Sequence, residues 1–285
     1  MKAKLFLVML LFPTLASAYQ TELRVDHHRA DYEGEQEFTG TALILKHYFI
    51  PVELNNSPYH EAEFLNRSSS VELLLGQSEF TFSNYLSMDG PLYGAEIFLM
   101  KKGSNYYFNG GFLFSKLENE TYISQMIEME TDSLHIEPGY FVNDSTLVSL
   151  SYYQTNTALL DTTIESSEIA LKVKSVINNF NIESEIVQLY DESEIVIYDD
   201  KYQSDVTNME LSLNLDYYIN KNASMGVGFI SNSGDDKDNE GETLILESVV
   251  YINKTFGIGF EYSKFSGNFD NNENSITVGA KLRLE

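Results

Sequence analysis

The chain has 285 residues, with 43 acidic against 18 basic side chains and a formal charge of −25. Such a surface repels nucleic acid. With no cysteine there is neither a disulfide framework nor a thiolate nucleophile nor a cysteine-based metal site, while 19 Tyr and 18 Phe argue against plain disorder.

At the N-terminus Lys2 and Lys4 precede an apolar run from Leu5 to Phe12, and Ala16-Ser17-Ala18 supplies the small residues of a cleavage site, so residues 1–18 read as a signal peptide. The run is too short to cross ~30 Å of hydrocarbon as a helix. The remaining 267 residues (285 − 18) carry no later run long enough for a membrane-spanning helix. They alternate apolar and polar residues with period two, the pattern of strands. Met209-Glu210-Leu211-Ser212-Leu213-Asn214-Leu215-Asp216-Tyr217 is the clearest case, and Phe256–Tyr262 and Val278–Leu284 repeat it.

Strands are predicted at 20–31, 37–48, 68–81, 90–101, 105–116, 120–142, 145–156, 164–176, 179–190, 204–219, 223–232, 242–252, 256–265 and 274–284. The count is fourteen, within a range of twelve to sixteen, and the sixth strand is the least defined because 117–142 also fits a long loop and a short strand. A soluble sandwich and a transmembrane barrel share this alternation. The connections separate them. Every second one is short, as at Lys102-Gly103-Ser104, Asn143-Asp144, Ile177-Asn178, Asn220-Lys221-Asn222 and Asn253-Lys254-Thr255, whereas 191–203, 233–241 and 266–273 read as long acidic loops. That rhythm predicts an all-β fold, an antiparallel up-and-down β-barrel over 19–285 in the bacterial outer membrane, closed because lipid cannot satisfy free backbone groups.

Residues 49–67 break the rhythm, being too long for a periplasmic turn. From Tyr48 the chain reads YFIPVELNNSPYHEAEFLNRSSSV to Val71, with Pro51 and Pro58 and a helix-compatible stretch after the second. The segment resembles the Tyr-Phe-x-Pro-Val and Pro-Tyr/Leu-x-Glu-Ala-x-Phe-Leu-x-Arg signature of a general porin family of gammaproteobacterial outer membranes. The resemblance covers about 24 residues and implies an outer-membrane barrel with passive transport. Two departures are Glu63, where the family pattern has a small residue, and a C-terminus Leu-Arg-Leu-Glu without a final aromatic. The segment fits a constriction in the lumen or a lid across the periplasmic mouth, with Glu61, Glu63 and Arg67 lining the pore. It equally fits an elbow held by Phe49, Tyr59 and Phe64 against neighbouring turns.

Chemistry is sparse. His27 and His28 are adjacent on a strand, so they point to opposite faces and cannot share a metal; His135 near Ser133 lacks a nucleophile elbow. Asp235-Asp236-Lys237-Asp238-Asn239-Glu240-Gly241-Glu242 does not match a calcium loop, although weak divalent binding that bridges lipopolysaccharide phosphates is compatible with it. No catalytic residue, metal or cofactor is expected. If the apolar faces meet lipid, Glu22, Asp26, Glu72, Glu96, Glu168, Glu183, Glu185, Glu210, Asp216, Glu247 and Glu261 face the lumen, against Arg24, Lys172, Lys174, Lys281 and Arg283. The acidic excess predicts passive diffusion of cations or small hydrophilic solutes. The partners expected are outer-membrane lipid and lipopolysaccharide, and the assembly common among porins is a homotrimer. The rival expectation is a non-conducting structural or surface-recognition barrel that uses its acidic loops.

Overall fold

The computed structural model describes residues 18–32, 36–54, 58–83, 86–119, 128–159, 162–197, 200–234, 240–267 and 272–284. The expected signal peptide and most of the segment 235–242 lie outside them. Fourteen strands follow one another: β1 (Ala18–Tyr32), β2 (Gln36–Glu53), β3 (Ser70–Ser83), β4 (Leu86–Met100), β5 (Tyr106–Glu118), β6 (Glu128–Asn143), β7 (Thr146–Leu159), β8 (Thr162–Ile177), β9 (Phe180–Ile197), β10 (Asp200–Asn220), β11 (Ala223–Gly234), β12 (Gly241–Tyr251), β13 (Phe256–Gly267) and β14 (Asn272–Leu284). Each pairs with its sequence neighbours, and β1 pairs with β14, so the sheet closes into an antiparallel barrel. Both strand termini, Ala18 and Leu284, lie at the same end.

Alternation decides the faces. On β10 Leu211 and Leu213 are each 51% exposed on the outside, whereas Ser212 and Asp216 are buried inside. Leu43, Leu75, Leu150, Ile169, Ile186, Leu246 and Ile276 continue the apolar exterior around the barrel. A sandwich would have hidden such a surface. Near the end holding the termini, outward aromatics meet in cross-strand pairs, Tyr106 with Tyr140 at 6.0 Å and Phe180 with Tyr217 at 5.2 Å. Amphipathic rings at that height suit a membrane–water interface.

Two expectations need correction. The segment 191–203, expected as an acidic loop, is mostly strand, because β9 runs to Ile197 and β10 starts at Asp200. Both strands are longer than the ~9–11 residues needed to span a bilayer, and they stay paired with each other out to Asp200 and Ile197. The sixth strand is described from Glu128, and residues 120–127 of its expected span lie outside the described residues. Strand β2 continues through Pro51 to Glu53. Beyond Tyr48 it pairs only with β1, since β3 begins opposite Tyr48, and a free edge tolerates a proline without an N–H.

Candidate functional site

Between β2 and β3 the chain turns into the barrel instead of around its rim. The only helix among the described residues, α1 (Ala62–Asn66), lies here. It ends at Arg67, whose φ of 51° is left-handed. That conformation costs a non-glycine residue about 1–2 kcal/mol. The guanidinium explains why arginine stands there. It donates to the Ser104 carbonyl at 2.7 Å and the Asn143 carbonyl at 3.0 Å, stacks over the Phe141 ring at 4.1 Å, and so ties the segment to the β4–β5 and β6–β7 turns.

The rest of the segment reaches the opposite walls. Tyr59 N–H donates to the Lys221 carbonyl in the β10–β11 turn at 2.9 Å, and its ring meets Tyr251 edge-on at 5.8 Å. The Tyr59 carbonyl accepts from Arg283 at 2.8 Å. Glu61, 2% exposed, accepts from the Tyr218 hydroxyl at 2.9 Å and pairs with Lys174 at 3.0 Å, which also holds Glu183 at 2.7 Å. Burial opposes ionisation of Glu61, but the Lys174 ammonium and the Tyr218 hydroxyl outweigh it and hold the carboxyl below its usual range. Glu63 pairs with Lys46 at 2.7 Å and accepts from the Tyr48 hydroxyl at 3.0 Å.

Two apolar clusters complete the seat. Tyr59 and Ala62 pack with Tyr19, Tyr48, Val52, Leu54 and Tyr251, and Phe64 packs with Met100, Phe141, Leu147, Val176 and Tyr218. The segment therefore touches strands all around the barrel, from β2 to β8 and β10 across the lumen. Tyr59 and Phe64 pack inside the barrel, whereas Phe49 is outside it and 51% exposed.

The register places the remaining candidates on the inner face. Glu22, Arg24 and Asp26 lie on β1, Glu72 on β3, Glu96 on β4, Glu168 and Lys172 on β8, Glu183 and Glu185 on β9, Glu210 and Asp216 on β10, Glu261 on β13 and Arg283 on β14. They do not form one ring. Glu22 and Arg283 are buried beneath the inward segment, joined at 3.0 Å. Arg67 points toward the turns. Glu185 pairs with Lys172 at 3.0 Å, and Arg24 pairs with Asp26 at 2.7 Å. A cavity of about 370 Å³ remains between the segment and the wall, bounded by Lys46, Glu61, Glu63, Lys172, Lys174 and Glu183.

Sequence reasoning missed Lys46, Glu137 and the environment of His135. His135 stacks on Tyr153 with ring centres 4.1 Å apart, between Glu96 at 3.4 Å and Glu137 at 3.5 Å. Lys46 shares its face with Ile44, and Glu137 shares its face with Gly139 and Phe141, so neither stretch shows a clean polar stripe. The expected separation of His27 from His28 holds, the first bonding Thr41 and the second Thr277.

Comparison with solved structures agrees with this geometry. The outer membrane protein Omp33 of Acinetobacter baumannii superimposes with a TM-score of 0.54 at 17% identity, over 94% of this chain and 99% of that one. The fold is that of outer-membrane barrels. A bacterial polysaccharide outer membrane secretin gives a TM-score of 0.52 at 10% identity, over 94% of this chain and 99% of that one. No family model and no curated protein matches the chain.

Proposed function

We propose that this protein is a porin-like outer-membrane channel for passive diffusion of small hydrophilic solutes and ions, with a preference for cations, its periplasmic end occupied by the segment of residues 58–69. The observation that carries the reading is the pairing of an apolar, lipid-suited exterior with a charged interior in a closed barrel. A wall meant only to pack would not hold Glu168, Glu210 and Glu261 inside without a lysine or arginine within ion-pairing distance among the described residues. Water must hydrate them, and the acidic excess raises the local cation concentration. The resemblance of residues 48–71 to a general porin family points the same way, and the outer-membrane location follows from it together with the fold.

A second reading, a non-conducting structural barrel, is favoured by one specific observation: the inward segment is held by buried ion pairs and two apolar clusters rather than by loose loop contacts. Planar-bilayer recording of refolded protein under a salt gradient separates the two. Conductance steps with a cation-selective reversal potential are the expected result. A folded barrel that never conducts establishes the structural reading instead, and an anion-selective reversal potential overturns the cation preference.

A further inference from the structure

On the inner face of β9–β14, toward the end of the barrel away from the termini, a second cavity of about 380 Å³ is lined by Leu189, Asn208, Asn232, Thr243, Phe265 and Glu273. Its size falls at the small end of the ~300–1,000 Å³ of ligand clefts. It differs in kind from the cavity beside the inward segment. Among the described residues Glu273 is its one charged lining group, and none of its lining belongs to residues 58–69.

The strand register sets its uncharged polar side chains in a stepped row, one on each of four consecutive strands. Asn208 on β10 pairs with Gly234, two residues beyond Asn232 on β11; Asn232 pairs with Gly241, two residues before Thr243 on β12; Thr243 pairs with Phe265, two residues beyond Ser263 on β13. Diagonal neighbours of this kind stand ~7–8 Å apart. Apolar surface accompanies the row, with Leu189 directly across from Asn208 and Phe265 directly across from Thr243. Two glycines make room for it: an added Cβ would strike the Asn208 Oδ1 at Gly234 and the Phe265 ring at Gly241. Asn208 is 7% exposed, yet its Oδ1 has no hydrogen-bond partner among the described residues, and the buried Oδ1 of Asn232 has none either. Buried amide atoms are ordinarily paired, so two unmet ones at the wall of one cavity are groups that a ligand would satisfy.

We propose that this cavity is a subsite for a short neutral saccharide, the size of a disaccharide, its hydroxyls toward Asn208, Asn232 and Thr243 and its C–H faces toward Phe265 and Leu189. The proposal rests on the reading of the lumen as open to solutes and names a class that it favours. An asparagine amide both donates and accepts hydrogen bonds, as a sugar hydroxyl does. A simple cation would use only the amide oxygens and a simple anion only the nitrogens, whereas a hydroxylated neutral molecule uses both. Glu273, directly across from Phe265, adds an acceptor for a further hydroxyl. From Asn208 to Thr243 the row takes two diagonal steps, ~14–16 Å along a concave wall, so a single sugar ring meets only part of it.

Saturation-transfer NMR on the full chain, solubilised in an amine-oxide detergent that carries no sugar headgroup, tests this with maltose, cellobiose and sucrose, and with glucose and glycerol as smaller hydroxylated probes. At least one disaccharide is expected to give a signal several-fold above glucose and glycerol. The double change Asn208→Leu/Asn232→Leu, which keeps the bulk and removes the amides, and Phe265→Ala, which removes the apolar ring, should each erase that signal. Each variant is accepted only if it keeps the heat-modifiable electrophoretic mobility of a closed barrel; if the double change does not, Asn232→Leu alone, at the less buried of the two positions, takes its place. A folded wild type with no disaccharide signal, or with one matched by glucose or glycerol, overturns the proposal, as does a disaccharide signal that survives either change. Permeation is measured separately as liposome swelling in propanamide. Disaccharide binding in a barrel that excludes propanamide supports the subsite and sinks the channel, whereas propanamide flux without disaccharide binding does the reverse.

Discussion

The barrel has two interiors. At the end that holds the termini, Glu22, Glu61, Glu63, Lys46, Lys174 and Arg283 are drawn into contacts of 2.7–3.0 Å and covered by aromatic rings. Along the β12–β13 wall, Glu261 faces the lumen with no lysine or arginine within ion-pairing distance among the described residues, and its cross-strand neighbour Glu247 meets Asp216 over Gly226 instead of a cation. Both regions are rich in the same residue types. What differs is the presence of a chain segment to fill the space: where residues 58–69 turn inward, charges are desolvated and must pair; where no described residue fills the lumen, water replaces the partner. Occupancy of the lumen, not composition, decides whether a charge is structural or available to a solute.

The comparison breaks most severely if the segment is removed. Replacing residues 58–67 by a short glycine linker should turn the first region into the second, giving single-channel conductance several-fold above wild type in planar bilayers. The barrel should still close, because the strand register does not pass through the segment. Unchanged conductance would mean that the segment does not limit flow. The next effect in size concerns Arg283, which joins Glu22, the Tyr59 carbonyl and the Tyr251 hydroxyl. Breaking a buried pair costs roughly 3–5 kcal/mol, and Arg283→Ala should lie at the low end because Glu22 keeps Lys281. A lowered denaturant midpoint in detergent checks this. An equal loss in a variant already lacking residues 58–67 would show that Arg283 supports the wall rather than the segment.

The wall was legible in the sequence because its physics is local. Side chains on a strand alternate strictly, so Met209–Tyr217 announces which face meets lipid without any knowledge of the neighbouring strands. Counting faces also placed Glu261 and Arg283 inside. The inward segment was legible only as an anomaly of length and proline content, since its direction depends on contacts between residues far apart, such as Glu61 with Tyr218. Lys46 escaped notice for a related reason: Ile44 and Tyr48 share its inner face, because that face packs against the segment, and packing erases the polar stripe a wet lumen would write. The far ends of β9 and β10 escaped because a run of acidic residues reads as a loop, whereas strand pairing is decided by the backbone of the neighbouring strand.

Two smaller effects sharpen the contrast between the regions. Glu261→Gln removes charge only from the open wall, so it should shift the reversal potential toward neutrality without altering the denaturant midpoint; a loss of stability would place this group among the structural ones. The smallest effect is expected with acid. The Glu61 carboxyl is held below its usual range, so its ion pair with Lys174 contributes at every pH above the ordinary glutamate value of about 4.3 and is lost only as pH falls through the lower, folded-state value. The rise in conductance that reports release of the segment should therefore appear only below about 4.3. Glu61→Gln, which cannot ionise, should leave the segment less firmly seated at neutral pH and remove that acid step. A rise that begins near neutrality in the wild type would assign the control of the segment to His60 rather than to Glu61.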